Sequence, residues 1–560
     1  MITCTQNQLL ILKNNLFIMN RKKLLLLSLA GGLLLAGAWP MRGWPGLLFI
    51  AFIPFFLLED YISKENKGYS RWAPFLMALP GLLLWNALTT WWIWYASAVG
   101  GMVAILLNSI LMAFVFELYH LIRRNVFASK GGYWMLPVAW MSLEYLHLNW
   151  EINWPWLNIG NAFSMHPSWI QWYEFTGTFG GTLWVFAVNL ALFITLKELL
   201  VARENRKIKP LHSAIAAFGL LAVPLTISLI MYSGYEEKKD PVDVLIIQPN
   251  NDPYTEQYGL SHDEVLNKVY GLVEEYGDQD VEFIVLPESV IQERNVFEGK
   301  LMESRSVQSV MGFMENYPST AMCIGAATYK LFQDGEPLSP SAREIRSTGR
   351  YYDAYNTIYY IDSTADIQLY HKSKLTPGVE SMPGIKYLPF IEKLALDLGG
   401  TVGSLGTDPV RRPFLRASDG IKVAPCICYE SIFGEFMSGF VANGAEVIFV
   451  MTNDGWWKDT PGHRQHMSYS VLRAIENRRS VARAANTGIS CFINQRGDII
   501  QSTPYWVKTA IRQKVNANSK ITFYVKYGDY IARISTFILL AMTLISFVRG
   551  ILRRAERLKG

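Results

Sequence analysis

The apolar positions of this chain change rhythm twice. From Lys23 to about Tyr235 they run almost unbroken in segments of roughly 17 to 25 residues, the length a helix needs to cross a bilayer. Seven such segments lie at about 24–40, 43–59, 73–94, 98–121, 132–148, 176–196 and 213–233, and an eighth at about 530–548. The first two meet at a Pro/Gly turn and can form one helical hairpin. Any single segment also fits a buried core helix, but eight in one chain point to a polytopic α-helical membrane domain. Between Asp240 and Val525 the rhythm shortens. β-prone runs recur at 242–250, 281–289, 321–329, 355–362, 422–430, 445–454 and 487–500. Helical spacing marks 262–277 and 464–484. Strands apolar on both faces need helices over them, so this part reads as an α/β fold with covered sheets.

The resulting division is a lead over residues 1–18, a membrane domain over 19–239, an α/β domain over 240–525, and a final span with a basic tail over 526–560. The lead fits neither a signal peptide nor a span, and Met19 stands just before the triplet Arg21, Lys22, Lys23.

Charge sets the orientation. Lys64, Lys67 and Arg71 follow the second span, Arg123, Arg124 and Lys130 the fourth, and Arg203, Arg206, Lys207 and Lys209 the sixth. The connection at 149–175 contains neither Lys nor Arg, and the tail carries Arg549, Arg553, Arg554, Arg557 and Lys559. By the positive-inside rule both termini are cytoplasmic and the α/β domain lies on the outer side. The formal net charge of +5 over 560 residues is therefore a matter of topology and gives no sign of nucleic-acid binding.

The five cysteines, Cys4, Cys323, Cys426, Cys428 and Cys491, show no CxxC spacing, hence no zinc signature and no disulfide framework. Trp150, Trp154, Trp156, Trp169 and Trp172 crowd the 149–175 connection, either as an interfacial belt or as the wall of a groove at lipid level.

Cys428 closes the apolar run Val423–Cys428 where a helical stretch begins, a position in which helix N–H groups lower a thiol's pKa and can hold an oxyanion. Two more charged groups sit at strand ends: Glu288 after VLP, and Lys372 after QLYH. A carboxylate, an ammonium and a thiol brought together supply base, charge stabiliser and nucleophile, the set that acyl transfer through a thioester requires. Singly, each has a structural alternative: a buried small hydrophobe for Cys428, a helix cap for Glu288, a solvated charge for Lys372. Trp456 and Trp457 are expected at the rim of such a site as substrate-binding residues. Residues 381–398, apolar at helical spacing but broken by Pro and Gly, read as an arm or lid that touches lipid, or as an ordinary surface helix. His463 and His466 lack a carboxylate or Cys at helical spacing, so no metal is expected there.

Four motifs in order, LPES at Glu288, YHKSKLTPGVE from Tyr370 to Glu380, ICYES from Ile427 to Ser431 and TNDGWW from Thr452 to Trp457, resemble those of the nitrilase superfamily. With seven spans before and one after, the chain resembles the apolipoprotein N-acyltransferase family of the bacterial cell inner membrane over nearly its full length. The resemblance implies a nitrilase-like αββα sandwich and a Glu288, Lys372, Cys428 triad. It adds Glu380 as a second essential carboxylate, supported by Tyr429 and Glu430. It departs at Pro377-Gly378-Val379-Glu380, where the family commonly has Pro-Phe-Gly-Glu. It also departs after the first strand, where Tyr254 and Tyr258 stand in place of an important Trp. It implies a ping-pong cycle without metal or organic cofactor. The acyl donor is a phospholipid, at the sn-1 position of phosphatidylethanolamine, and the acceptor is the α-amine of a diacylglyceryl-cysteine on an apolipoprotein. A monomer suffices. The alternatives are a membrane-tethered amidase or nitrilase-type C–N hydrolase, with water in place of the amine, and a scaffold that keeps the domain as a binding module. The intact triad argues against the scaffold.

Overall fold

The structure is a computed structural model that describes residues 20–64, 69–202, 210–256, 259–364, 366–381 and 404–559. The lead over 1–18 and the arm beyond Ser381 lie outside the described residues.

The membrane part is a bundle of α1 (Arg21–Ala38), α2 (Ile53–Lys64), α3 (Ala73–Thr90), α4 (Ala98–Val126), α5 (Met135–Asn149), α6 (Thr178–Ala202) and α7 (Leu211–Gly234). Among the described residues six helical stretches, not the expected eight, are long and apolar enough to cross a membrane: Pro45–Lys64, Ala73–Tyr95, Ala98–Val126, Thr178–Leu200, Leu211–Gly234 and Tyr530–Glu556. The two that fall short have physical reasons. Helix α1 spends its first turn on Arg21, Lys22 and Lys23. Helix α5 has 15 residues, below the roughly 20 a span needs, and Met135 to Glu144 are all buried within the bundle.

Close packing in this bundle relies on small residues. A Cβ on Gly32 would lie 2.1 Å from the Gly81 carbonyl oxygen, and one on Gly81 would lie 2.0 Å from that of Ser28, so α1 and α3 meet backbone to backbone. Pro80 interrupts the α3 ladder, and Ser28 compensates: its Oγ accepts the Gly81 N–H at 2.9 Å and donates to the Ala78 carbonyl at 3.2 Å.

Among the described residues thirteen strands follow, in two sheets. The first runs β13-β1-β2-β3-β5-β4 with β6 paired to β5; the second runs β12-β11-β10-β9-β8-β7. Their ranges are β1 Pro241–Gln248, β2 Phe283–Val285, β3 Ala321–Leu331, β4 Arg343–Ile345, β5 Arg350–Ile361, β6 Gln368–His371, β7 Phe414–Leu415, β8 Lys422–Ile427, β9 Val447–Thr452, β10 Ser480–Ala485, β11 Cys491–Ile493, β12 Ile499–Ser502 and β13 Thr509–Asn516. Strand periodicity sorts each side chain. Val242, Val244 and Ile246 of β1, with Phe283 and Val285 of β2, enter one core with the second sheet. Leu245, Ile247 and Ile284 enter another with Val265, Val269 and Leu272 of α8 (His262–Tyr276) and Val307 and Val310 of α9 (Arg305–Met314). Phe283 meets Phe449 across the sheets at 5.2 Å between ring centroids. Helices α10 (Gly434–Ala442) and α11 (Pro461–Asn477) cover the second sheet, completing an αββα sandwich. The chain returns to the bundle through α12 (Tyr530–Lys559).

The helical pattern expected over 464–484 splits. Helix α11 ends at Asn477 because Arg478 takes a left-handed conformation, φ 50° and ψ 50°, and Ser480–Ala485 becomes β10, parallel to β9. A fully buried short strand carries no alternation to distinguish it from a helix.

Leucine at position 81 would force α1 and α3 apart. Gly81→Leu is expected to cost about 1–3 kcal/mol, the usual range for overpacking, read as a lower Tm of the detergent-solubilised full chain, with Ser28→Ala lowering it less.

Candidate active site

The two sheets each carry parallel strands, β1-β2-β3 and β8-β9-β10, and the reactive groups follow their carboxyl ends. Glu288 lies three residues beyond β2, Lys372 immediately beyond β6, Cys428 immediately beyond β8 and Asn453 immediately beyond β9. Groups far apart in sequence thus converge at one end of the sandwich, where α/β sheets commonly bind ligands.

Lys372 is the electrostatic centre. Its ammonium is 1% exposed and donates to Glu288 Oε1 at 3.1 Å and to Glu380 Oε1 at 2.8 Å. Burial works against the charge. The Glu288 and Glu380 carboxylates outweigh it and hold the ammonium well above its ordinary range. Burial likewise opposes ionisation of Glu380, which Lys372 overcomes to leave its carboxyl lowered. Asn356 of β5 ties the two carboxylates together, its Nδ2 donating to Glu288 Oε1 at 2.7 Å and to Glu380 Oε1 at 3.1 Å. The Asn453 N–H reaches Glu288 Oε2 at 3.2 Å, and the Thr376 N–H reaches Glu380 Oε2 at 2.9 Å.

Cys428 opens a five-residue 3₁₀ turn, Cys428–Ile432, that precedes α10, and its own φ is +50°. The expectation that a helix end lowers this thiol is overturned. Burial first, and then the Glu288 charge, hold it well above its ordinary range, while Lys372 pulls the other way. The resting group is therefore a thiol, and Glu288 is the carboxylate whose charge it feels.

Glu430 welds the Cys428 turn to the Lys372 loop. Its Oε1 accepts from Tyr370 OH at 2.7 Å and from the Ser373 N–H at 2.6 Å, and its Oε2 accepts from the Ile427 N–H at 2.8 Å. Burial pushes its pKa up to about 7 in spite of these donors. Tyr429 OH donates to the Asn153 carbonyl at 3.1 Å, linking the Cys428 turn to the tryptophan-rich connection. That connection is a platform under α11. Trp156 is buried, donates to Gln465 Oε1 at 2.8 Å and accepts from Tyr469 OH at 2.9 Å through its carbonyl, and Ser164 pairs with Ser468 at 2.8 Å. Trp457 packs on Trp92 at 4.8 Å, Trp156 at 5.7 Å and His466 at 5.6 Å, whereas Trp456 turns to Tyr254 at 5.4 Å.

Two features here had no clear signal in the sequence: half-buried Asn356, and the buried pairing of His466 with Asp454. Asn356 stands out only as a β-disfavoured residue inside an apolar strand. His466 does have a carboxylate beside it, but from Asp454, twelve positions earlier: the two bond at 2.8 Å, and Arg483 of β10 pairs with Asp454 at 2.5 Å. Cys428, Asp454 and His466 offer sulfur, oxygen and nitrogen within 4.8 Å of one another. His466 Nδ1 faces Asp454 and its Nε2 faces Ser431 Oγ at 3.0 Å, so both ring nitrogens already have partners before any metal arrives.

A family model described as carbon-nitrogen hydrolase matches residues 246–519, and one described as apolipoprotein N-acyltransferase N-terminal domain matches residues 31–191. The chain is 27% identical over 538 residues to the apolipoprotein N-acyltransferase of Chlorobaculum tepidum, covering 93% of this chain and 96% of that protein. It is 27% identical over 523 residues to that of Geobacter metallireducens, covering 90% and 92%. It is 23% identical over 558 residues to apolipoprotein N-acyltransferase 1 of Treponema denticola, covering 95% and 98%.

The two charges act on the thiol in opposite directions, which gives a signed test. Glu288→Gln is expected to move the pH midpoint of Cys428 alkylation down and Lys372→Met to move it up, measured by mass spectrometry of the labelled peptide across a pH series.

Proposed function

The chain belongs to the apolipoprotein N-acyltransferase family, and from that premise we propose that Cys428 carries an acyl chain, as a thioester, from a phospholipid to the N-terminal amine of a diacylglyceryl-cysteine on an apolipoprotein. The observation that carries this reading is the cluster of Glu288 and Glu380 around the buried Lys372, acting on the Cys428 thiol, in a protein with six helices able to cross a membrane among the described residues.

In the first half-reaction Glu288 takes the thiol proton as sulfur bonds to the ester carbon. The oxyanion that forms faces the Lys372 ammonium, which Glu380 keeps charged and fixed. The carbon–oxygen bond then breaks, and the proton held by Glu288 passes to the departing lysophospholipid oxygen. In the second half-reaction the amine nitrogen bonds to the thioester carbon and gives its proton to Glu288. The carbon–sulfur bond breaks, and the Cys428 thiolate recovers the proton. Every residue returns to its starting state, with only side-chain groups involved.

Placement of the α/β domain on the periplasmic side draws support from α4. With 29 residues and about 1.5 Å of rise each, it is about 43 Å long, enough to cross the hydrocarbon core. At its start Trp92 and Tyr95 approach Trp457 and Tyr254 of the site region. At its end, Arg549 and Arg553 of α12 donate to the Val126 and Arg124 carbonyls at 2.8 and 2.9 Å. Basic residues thus gather opposite the site, and the positive-inside rule assigns that end to the cytoplasm of a bacterial inner membrane protein.

The carbon-nitrogen hydrolase match favours a second reading, in which water takes the place of the amine. Intact-mass analysis of the solubilised full chain after incubation with phospholipid separates the two. Transfer predicts a fatty-acyl adduct that is absent from Cys428→Ala and is discharged as an N-acylated product by a diacylglyceryl-cysteine peptide. Hydrolysis predicts ammonia from small amides and no adduct. In Glu288→Gln the adduct should form at least about 100-fold more slowly, the lower range for losing a general base.

A further inference from the structure

We infer that His466, oriented by Asp454 and Arg483, is a positioning residue that holds the Cys428 turn in its reactive conformation through Ser431 and the Cys428 carbonyl. The inference rests on Cys428 being the nucleophile proposed above.

Cysteine at φ +50° is a strained choice, and such a conformation persists only where its surroundings fix it. The strain buys a turn off the end of β8, which brings the sulfur under the charges of Glu288 and Lys372. The Cys428 carbonyl is where this turn is held. Ser431 Oγ donates to it at 2.8 Å, and His466 Nε2 lies 3.1 Å from the same oxygen and 3.0 Å from Ser431 Oγ. The opposite edge of the ring settles which nitrogen carries the proton. Asp454 Oδ1, 2.8 Å from Nδ1, can only accept while ionised, so Nδ1 holds the hydrogen, and the single Ser431 hydroxyl hydrogen is shared between the Cys428 carbonyl and the Nε2 lone pair. Burial opposes ionisation of Asp454, but Arg483 and His466 keep its carboxyl well below the usual range. Thr452 Oγ1 adds a hydrogen bond to the same oxygen at 2.7 Å.

The five groups come from four separate segments: Ser431 from the nucleophile turn, Asp454 from the end of β9 with Thr452, His466 from α11 and Arg483 from β10. All are fully buried. A purely structural histidine would not need one face on the nucleophile's own carbonyl and the other on a neutralised carboxylate. Trp156 and Trp457 both pack on the ring, at 5.8 and 5.6 Å between centroids, and on each other at 5.7 Å, so the tryptophan-rich connection and the Cys428 turn share this one imidazole.

The test uses His466→Phe, which keeps a ring against the two tryptophans and removes both nitrogens. Two rates are read on the solubilised full chain. The first is alkylation of Cys428 by iodoacetamide without lipid; the second is acyl-adduct formation against phospholipid concentration. The inference expects both rates to fall about tenfold or more, with KM for phospholipid and Tm close to wild type and partial recovery in His466→Gln. Alkylation at the wild-type rate in His466→Phe would overturn it. If that variant does not fold, Ser431→Ala reads the same link, and an unchanged alkylation rate there overturns the inference equally. Because iodoacetamide reports on the thiol with no lipid present, failure of the phospholipid reaction in the wild type would count against the proposed function and leave this inference to its own result.

Discussion

An ammonium with 1% exposure has no place in a protein interior without compensating charge, and that constraint organises the whole catalytic end of the sandwich. Lys372 is stable there because Glu288 and Glu380 flank it. Those two carboxylates tolerate each other because Lys372 and Asn356 stand between them. The cluster holds one positive and two negative groups, so it has spare negative charge. Burial first, and then that surplus, keep the neighbouring thiol protonated at rest, in keeping with the base role proposed for Glu288. Electrostatics needed for folding and electrostatics needed for chemistry are the same interactions here.

How much of this was legible in the sequence follows from how local each signal is. The β1 run around Val242 to Ile247 announces a strand by composition alone, and its two-sided burial follows from apolar residues at every position but Asp243. Ser261 and Glu264 form the capping box that starts α8 where the pattern begins. Glu288, Lys372 and Cys428 could be found because each charged or reactive group interrupts an apolar run at its end. Elements with no local contrast were missed. Ser480–Ala485 is buried on all sides and continues the composition of the preceding helix, so only the left-handed turn at Arg478 separates them. The pairing of Asp454 with His466 depends on how α11 is set against β9, and spacing along the chain cannot encode it.

The tryptophan-rich connection shows why a compositional reading can stop one step short. A belt at the membrane surface and a groove wall were both reasonable for such a segment. In the fold, Trp156 is almost wholly buried beneath α11, and Gln171 and Glu174 take Arg478. Absence of Lys and Arg from 149–175 suits a translocated loop. It also leaves acceptors free to receive the basic end of α11. The catalytic part is therefore docked on the bundle through polar bonds as well as apolar contact, which fixes the height of the sulfur relative to the spans.

The left-handed backbone at Cys428 also limits which nucleophile this scaffold can ever use. Side chains branched at Cβ are genuine outliers at positive φ. Threonine is thereby excluded from the position on steric grounds alone, whatever its reactivity. Among side chains with a nucleophilic atom one bond beyond Cβ, only cysteine and serine remain, and the choice between them passes from geometry to leaving-group chemistry.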